Sequence, residues 1–313
     1  MLKKAEEVIV LFAMIITDYY SMGETIGYIK RISQLKDGKK IKIIVVDNST
    51  TKNGEKFLLK TKTCFERLEF NQHKVIKFKL DNLNVVLIEG NSNNGYAGGN
   101  NLGVQLSNFL YPEVKFFIFS NNDIYFDQEL NLGEMKKVFI ENDKVGILGP
   151  NIKSPGGEKQ NPRKDMSFAS QMIFWDINIM LCGCRFNRFF WNLDKEASSF
   201  KETGWVSGSF MVVRRDTFNL VGGFDTKTFL YAEEMILSQK FRNSGYMTFY
   251  YPDLTITHLH RGGAPSKQQR LWNHESKKYY YRNYKNVKEW KLKLSDVIFY
   301  ILEFIHSIKH RNS

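Results

Sequence analysis

The stretch Asn91-Ser-Asn-Asn-Gly95-Tyr-Ala-Gly98-Gly99-Asn100-Asn101-Leu-Gly103, the apolar run Phe116-Phe-Ile-Phe119 after it, and then Ser120-Asn121-Asn122-Asp123 decide how the rest of the chain is read. A polar, glycine-rich loop running into a helix of about ten residues, then a short buried strand that stops at a lone carboxylate, is the pattern of an α/β sheet. Ligands of such sheets gather at the carboxyl ends of the strands. Gly95, Gly98, Gly99 and Gly103 permit close backbone approach and leave N–H groups able to cradle phosphate. Asp123, at the strand exit, can hold a hard divalent cation bridging a diphosphate. It can equally cap the next turn.

Upstream, Val8-Ile-Val-Leu-Phe-Ala-Met-Ile-Ile16 has the composition of a buried strand, and Ile26, Ile29, Ile32 and Leu35 give residues 23–36 a helical apolar face. Ile41-Lys-Ile-Ile-Val-Val46 then ends at Asp47-Asn48-Ser49-Thr50, completing a β-α-β unit with parallel strands. The Asp47 carboxylate can accept hydrogen bonds from a base or a ribose; a turn-forming Asp reads as well. Residues 52–80, rich in Lys and aromatics, are read as a helix with a loop. Strands at 85–88, 116–119 and 145–148 and a helix at 128–141 continue the alternation. Together they predict a Rossmann-like, mostly parallel central sheet flanked by helices. The glycine spacing is not GxGxxG after the first strand, which speaks against a dinucleotide dehydrogenase.

The second half changes character. Residues 151–203 mix Pro, Gly, Arg and aromatics without a sustained period, as in Arg185-Phe-Asn-Arg-Phe-Phe-Trp191, and are expected to form a mobile, partly helical insertion. A strand is predicted at 205–213, helices at 215–220 and 233–244, the latter stopping at Gly245, and short strands at 247–251 and 254–257. Glu233-Glu234 opens its helix either as dipole partner or as a carboxylate placed for general-base work. His258 and His260, in a polar loop, are candidate metal or phosphate ligands or plain structural histidines.

The balance of 45 Lys+Arg against 33 Asp+Glu, a net +12, favours an anionic partner. No zinc-finger spacing, aromatic RNP-type strand or basic heptad helix points to nucleic acid. Cys64, Cys182 and Cys184 form no CxxC, so a disulfide framework is not expected and a reducing cytosol fits. The apolar run 8–16 is too short to span a bilayer and lacks a small-residue cleavage site, which places the protein on the cytoplasmic side. Residues 277–313 mix lysines with Trp290, Phe299, Tyr300, Phe304 and Ile305, in the manner of basic amphipathic helices. Such helices can lie on an anionic membrane surface, or pack on the core or on a second copy of the chain.

Seven stretches taken in order, Val45-Val-Asp-Asn-Ser49, Asn93-Asn-Gly-Tyr-Ala-Gly-Gly-Asn-Asn-Leu-Gly103, Phe119-Ser-Asn-Asn-Asp123, Val145-Gly-Ile-Leu-Gly-Pro150, Gly222-Gly-Phe-Asp225, Phe229-Leu-Tyr-Ala-Glu-Glu234 and Tyr281-Arg-Asn283, resemble the family 2 glycosyltransferases. The likeness is to the rhamnosyltransferase-like group that builds bacterial surface polysaccharides, and it runs from residue 8 to 284. It implies a GT-A fold over residues 1–265, with a nucleotide-binding half (1–150) and an acceptor-binding half (151–265), followed by C-terminal helices at 266–313. It also implies an inverting, metal-dependent (Mn²⁺ or Mg²⁺) transfer from a nucleotide-diphosphate sugar, with a polyprenyl-linked oligosaccharide as acceptor and a homo-oligomer left open. By this resemblance Asp47 binds the nucleoside, and Asn94, Gly95, Gly98, Gly99, Asn100 and Asn122 line the donor.

Asp123 then stands at the metal end of a DxD-like motif whose first position is Asn121. Glu234 is the base beside Glu233, and Ile236 occupies the position of a usual Asp. His258 is the second metal ligand, and Trp205 and Gly208 fall at the acceptor pocket. A sugar-phosphate nucleotidyltransferase would need a Gly- and Arg-rich loop where Thr17-Asp-Tyr-Tyr20 stands. A non-catalytic glycan-binding or partner-binding relative is the other alternative, prompted by Asn121 and Ile236.

Overall fold

The computed structural model describes residues 11–51, 53–174, 177, 194, 197–259 and 265–309. Residues 8–10 of the first apolar run, Cys182, Cys184, the tract 185–191 and His260 lie outside them. The chain alternates β1 (Phe12–Asp18), α1 (Met22–Gln34), β2 (Ile41–Asp47) and α2 (Asn53–Lys60), then runs through β3 (Phe65–Phe70), β4 (His73–Leu80) and β5 (Leu83–Glu89). After α3 (Gly95–Leu110) come β6 (Phe116–Ser120), β7 (Ile124–Phe126), α4 (Leu132–Glu141) and β8 (Val145–Lys153). The second half adds β9 (Lys201–Thr203), β10 (Phe210–Arg214), α5 (Arg215–Leu220), α6 (Glu233–Asn243) and β11 (Met247–His258), then α7 (Lys267–Asn283) and α8 (Glu289–Lys309).

Among the described residues one sheet holds the strands in the order β3-β4-β5-β2-β1-β6-β10-β8-β11-β7, with β9 on β11. Its heart, β5-β2-β1-β6, is parallel, as is β8 with β11, and antiparallel pairs join and extend these parts. This is the α/β fold with a Rossmann-like sheet that the alternation predicts. Both faces are covered, so the central strands are apolar throughout rather than alternating. Met14, Ile16, Ile43 and Val45 meet α1 and α4 on one face, while Ile15, Ile44 and Val46 meet α3, Phe218 and Phe241 on the other.

Four local expectations change. Residues 65–80 form the hairpin β3–β4, not a loop, and its turn places Asn71 and Gln72 at φ 49° and 64°. Two consecutive left-handed residues are what a two-residue hairpin of this twist needs. The glycine-rich stretch is helix from Gly95 onward, and α3 has 16 residues. Gly99 and Gly103 lie one turn apart on its sheet side, where a Cβ would come 2.7 Å from Thr17 Cγ2 and 2.5 Å from Ile15 Cγ2. Those glycines let the helix lie close on β1, so they serve packing rather than phosphate. Strands 247–251 and 254–257 are one strand with a register shift between Tyr251 and Thr255. The strand expected from residue 205 starts at Phe210, because 205–209 leaves the sheet to shape the site below.

Candidate active site

The carboxyl ends of β1, β2 and β6 open on one side of the sheet. Asp47, at the end of β2, is fully buried; its Oδ1 accepts the Ser49 N–H at 3.0 Å and its Oδ2 the Gly54 N–H at 2.6 Å. The carboxylate thus holds the 48–54 loop, the turn-forming alternative, with both oxygens engaged. Asn48 next to it accepts the Asn94 N–H (3.1 Å) and donates to Asn93 Oδ1 and the Gly95 carbonyl, fixing the entry to α3. Asn94 and Gly98 remain accessible at that helix N-terminus. Asn100 does not: it is buried and donates to the Tyr96 carbonyl within the helix. At Gly95 (φ +67°) a Cβ would lie 2.1 Å from the Phe229 carbonyl oxygen, so the α3 entry and the loop before Glu233 touch backbone to backbone.

Sequence reading missed the β1 exit. Asp18 accepts hydrogen bonds from Ser21 Oγ (2.8 Å) and Thr25 Oγ1 (2.6 Å), and Asn122 Nδ2 donates to the same two hydroxyls. Burial pushes the Asp18 carboxyl up, against those hydrogen bonds. Asn122 therefore ties the end of β6 to α1 instead of facing a ligand. Tyr19 and Tyr20 stand half exposed at this mouth, edge to face at 4.8 Å, with the Tyr20 N–H donating to Ser49 Oγ. Two adjacent aromatics after a strand were the available signal.

Beyond β6 the chain turns at Asn121-Asn122-Asp123 into β7, which pairs with the end of β11 and places His258 opposite Ile124. Asp123 Oδ1 and His258 Nε2 lie 3.3 Å apart. Two cis ligands of an octahedral divalent ion at bond lengths of about 2.1 Å are about 3.0 Å apart, so the pair fits one ion of the Mg²⁺ or Mn²⁺ kind. His258 Nδ1 meets Gln160 Oε1 at 2.9 Å. Gln160 Oε1 can only accept, so Nδ1–H donates to it and Nε2 is turned toward Asp123, the second-shell arrangement of ligating histidines. Asn121, in place of a second carboxylate, has its amide 3.5 Å from Nε2.

Glu234, in the first turn of α6, accepts the Gly208 N–H at 2.8 Å, while Tyr96 donates its hydroxyl to the Gly208 carbonyl at 2.7 Å. The next residue, Ser209, accepts the Asn121 N–H at 2.9 Å. The tripeptide 207–209 is therefore flanked by the Asp123 turn on one side and the Glu234 carboxylate on the other. Arg163, pushed down to about 10 by burial and drawn back by Glu234, lies over the Trp205 ring at 5.4 Å, and the two backbones pair. Burial also raises Glu234, against the Gly208 N–H and the Arg163 charge, and pushes Glu233 up to about 8, with the Glu234 charge adding to it. Two adjacent carboxyls of unequal surroundings divide into a proton holder and a base. The loop before them carries Tyr231 and Ala232 at φ 75° and 65°, strain of the kind stored at functional sites.

Two other features stand apart. His274, Glu275 and Asp296 group as a metal site would, but Lys278 Nζ lies 2.9 Å from Asp296 and 3.5 Å from Glu275, so this is an ion-pair cluster between α7 and α8. A cleft of ≈ 680 Å³ bounded by Lys42, Lys77, Val86 and Tyr111 opens at the opposite ends of β2 and β5 and holds none of the groups above.

The fold is that of the GT-A glycosyltransferases. A mannosyltransferase from Pyrobaculum calidifontis, solved with GDP-Man and Mn²⁺, superposes with TM-score 0.50 at 14% identity, over 84% of this chain and 59% of its own. GalNAc-T7 with UDP, GalNAc and Mn²⁺ superposes with TM-score 0.55 at 13% identity, over 87% and 50%. In sequence the chain is similar to the N-acetylglucosaminyl-diphospho-decaprenol L-rhamnosyltransferase of Mycobacterium tuberculosis, 29% identical over 142 residues, which is 42% of this chain and 44% of the relative. It is also similar to the O-antigen chain rhamnosyltransferase WbaN of Salmonella anatum, 25% identical over 165 residues, 51% and 46% of the two chains. The matches thus span less than half the length of either relative. No family model matches the chain. Among the described residues no helix is long and apolar enough to cross a membrane.

Proposed function

We propose that this protein is an inverting glycosyltransferase that moves a sugar from a nucleotide-diphosphate donor to a hydroxyl of a lipid-linked bacterial surface glycan, at the cytoplasmic face of the membrane. The observation that carries the reading is the shared tripeptide: Ser209 holds the turn of Asp123 while Gly208 holds Glu234. An activated leaving group on one side and a base on the other is what in-line displacement at an anomeric carbon requires. Glu234 takes the proton of the acceptor hydroxyl as its oxygen bonds to the anomeric carbon and the bond to the diphosphate oxygen breaks. Burial and the Glu234 charge push Glu233 up to about 8, which makes it the proton holder of the pair, and the base works as the ionised form of Glu234. Arg163 and the Gly208 N–H favour that ionised form and aim it.

Asp123 and His258 would hold a divalent ion, which when bound neutralises charge on the departing diphosphate. Tyr19 and Tyr20 supply flat apolar surface beside the Asp47 loop for the nucleoside, and Trp205 and Gly208 border the acceptor side. The relatives' names make nucleotide-activated L-rhamnose the first donor to test, and that of the mycobacterial protein supports an acceptor on a polyprenyl diphosphate. The test is release of nucleoside diphosphate from a panel of nucleotide sugars with Mn²⁺, by wild type, Asp123→Ala and Glu234→Gln. We expect one donor to be turned over by wild type and both variants to lose activity by about 100-fold or more. Equal, metal-independent release by all three would overturn the catalytic reading.

A further inference from the structure

The C-terminal helix α8 buries one face and leaves the other apolar. Trp290, Leu294, Val297, Ile301, Phe304 and Ile308 are exposed, Trp290 by 60% and Phe304 by 67%, at spacings of 4, 3, 4, 3 and 4 residues. They draw a straight stripe about 27 Å long, widened by exposed Tyr300. A single exposed apolar residue needs no explanation, but a continuous stripe on an outer helix marks a surface that something covers.

The charges on the helix decide what. All three of its acids turn to α7: Glu289 pairs with Arg282, Asp296 with Lys278 and His274, and Glu303 with Arg270. The outer side keeps the cations Lys291 and Lys293, both exposed, with Lys288 just before the helix. A second copy laid on this stripe would meet these lysines with no acid of α8 left to pair with them, unlike a self-complementary helix seam. An anionic lipid surface meets both halves of the pattern, apolar residues entering the acyl boundary and lysines meeting headgroup phosphates. The aromatics Trp290 and Tyr300 suit the interface between the two.

We infer that the outer face of α8 docks this protein on an anionic bilayer. The contact stands independently of sugar transfer, yet it bears on it. Through α7, the same helix pair holds the loop before Glu233: Ser276 Oγ donates to the Leu230 carbonyl, Trp272 packs on Phe229 at 4.8 Å, and Leu292 joins Ala232, Met235 and Ile236 in one cluster. A bilayer held by α8 is thereby held on the flank of the base, where a lipid-linked acceptor would arrive.

The test is flotation of the whole protein with phosphatidylcholine vesicles, with and without phosphatidylglycerol. The variants are Ile301→Glu/Phe304→Glu and Lys291→Glu/Lys293→Glu, each checked by circular dichroism and by sedimentation velocity without lipid. Wild type should float only with the anionic vesicles and be released by salt. The lysine pair should weaken binding by at least about 25-fold, about fivefold for each cation removed with the repulsion of the added acids on top, and the apolar pair should abolish it. Equal binding by folded variants, or no wild-type binding to either vesicle, overturns the inference. So does a wild-type dimer that Ile301→Glu/Phe304→Glu dissociates, which would make a second copy the cover.

Discussion

Gly208→Ala is the sharpest single probe of the site, because the atoms nearest the added methyl belong to the two side chains that matter. A Cβ there would lie 2.7 Å from Glu234 Oε1 and 2.8 Å from the Tyr96 hydroxyl, where ordinary contact begins at 3.4 Å. Relief by the carboxylate alone means withdrawal by about 0.7 Å, which stretches its 2.8 Å hydrogen bond from Gly208 toward 3.5 Å and breaks it. Hydrogen bonds to charged groups are worth about 1.5–3 kcal/mol, so turnover should fall about 10- to 150-fold. The crowded atoms belong to side chains and not to backbone, and the carboxylate end of Glu234 can give way, so the fold should survive. The lost hydrogen bond favoured the charged carboxylate, so the acid limb of the pH–rate profile should move to higher pH. Steady-state turnover at saturating donor, a pH profile and donor affinity by calorimetry would measure this, with affinity expected to hold. Tyr96→Phe in the Gly208→Ala background removes one of the two contacts and should recover part of the rate. A folded Gly208→Ala protein with wild-type turnover and an unmoved acid limb would refute the assignment of Glu234 as a base held by Gly208.

Removing the ion-binding pair is expected to act on metal before chemistry: Asp123→Ala or His258→Ala should abolish Mn²⁺ binding seen by calorimetry, whereas Gln160→Ala, losing only the partner of Nδ1, should weaken it about 10- to 100-fold. Gly103→Ala should lower the melting temperature, since overpacking against Ile15 and Val46 costs about 1–3 kcal/mol against a helix-propensity gain of about 1 kcal/mol. Gly133→Ala, with only Asn131 Oδ1 at 3.4 Å, should raise it, and equal shifts in the two would refute the close packing of α3. Glu233 holds its proton to about pH 8 in the fold but releases it near 4.5 when unfolded, so its contribution to stability is full below pH 4.5 and is lost as pH rises toward 8. Thermal melts from pH 5 to 8 should therefore fall more steeply for wild type than for Glu233→Gln, and parallel curves would refute the buried, protonated state.

The parallel heart of the sheet could be read from the sequence because strands covered on both faces are continuous apolar runs; Ile41–Asp47 and Phe116–Ser120 announce themselves. The β3–β4 hairpin could not. It is an edge, exposed along β3, with Lys74, Lys77 and Lys79 interrupting the pattern, and its turn is Asn-Gln where the readable signal is Asn-Gly. Glycine misled in α3, where composition says loop and the demand is for closeness to β1. The site divides in the same way. Asp123, Glu234 and His258 follow from motif resemblance, but Gln160, Arg163 and Tyr96 reach it across 98, 71 and 112 residues of sequence, through contacts that no local pattern encodes.

The stretch of chain that presents Glu233 and Glu234 is locally unfavourable. Tyr231 and Ala232 sit in succession in a left-handed conformation that costs about 1–2 kcal/mol per residue outside glycine. Left alone, this loop would relax and carry the carboxylates with it. It is held from outside, by the Gly95 backbone pressed on Phe229 and by Ser276 and Trp272 of α7. The first of these contacts comes from the donor side and the others from the C-terminal helices. The position of the proposed base is therefore set jointly by the helix entry that would face a diphosphate and by the helices inferred to meet the membrane. In the proposed transferase, whose two substrates would arrive from water and from lipid, such strain would have a use: contacts from both flanks hold the loop that carries the base.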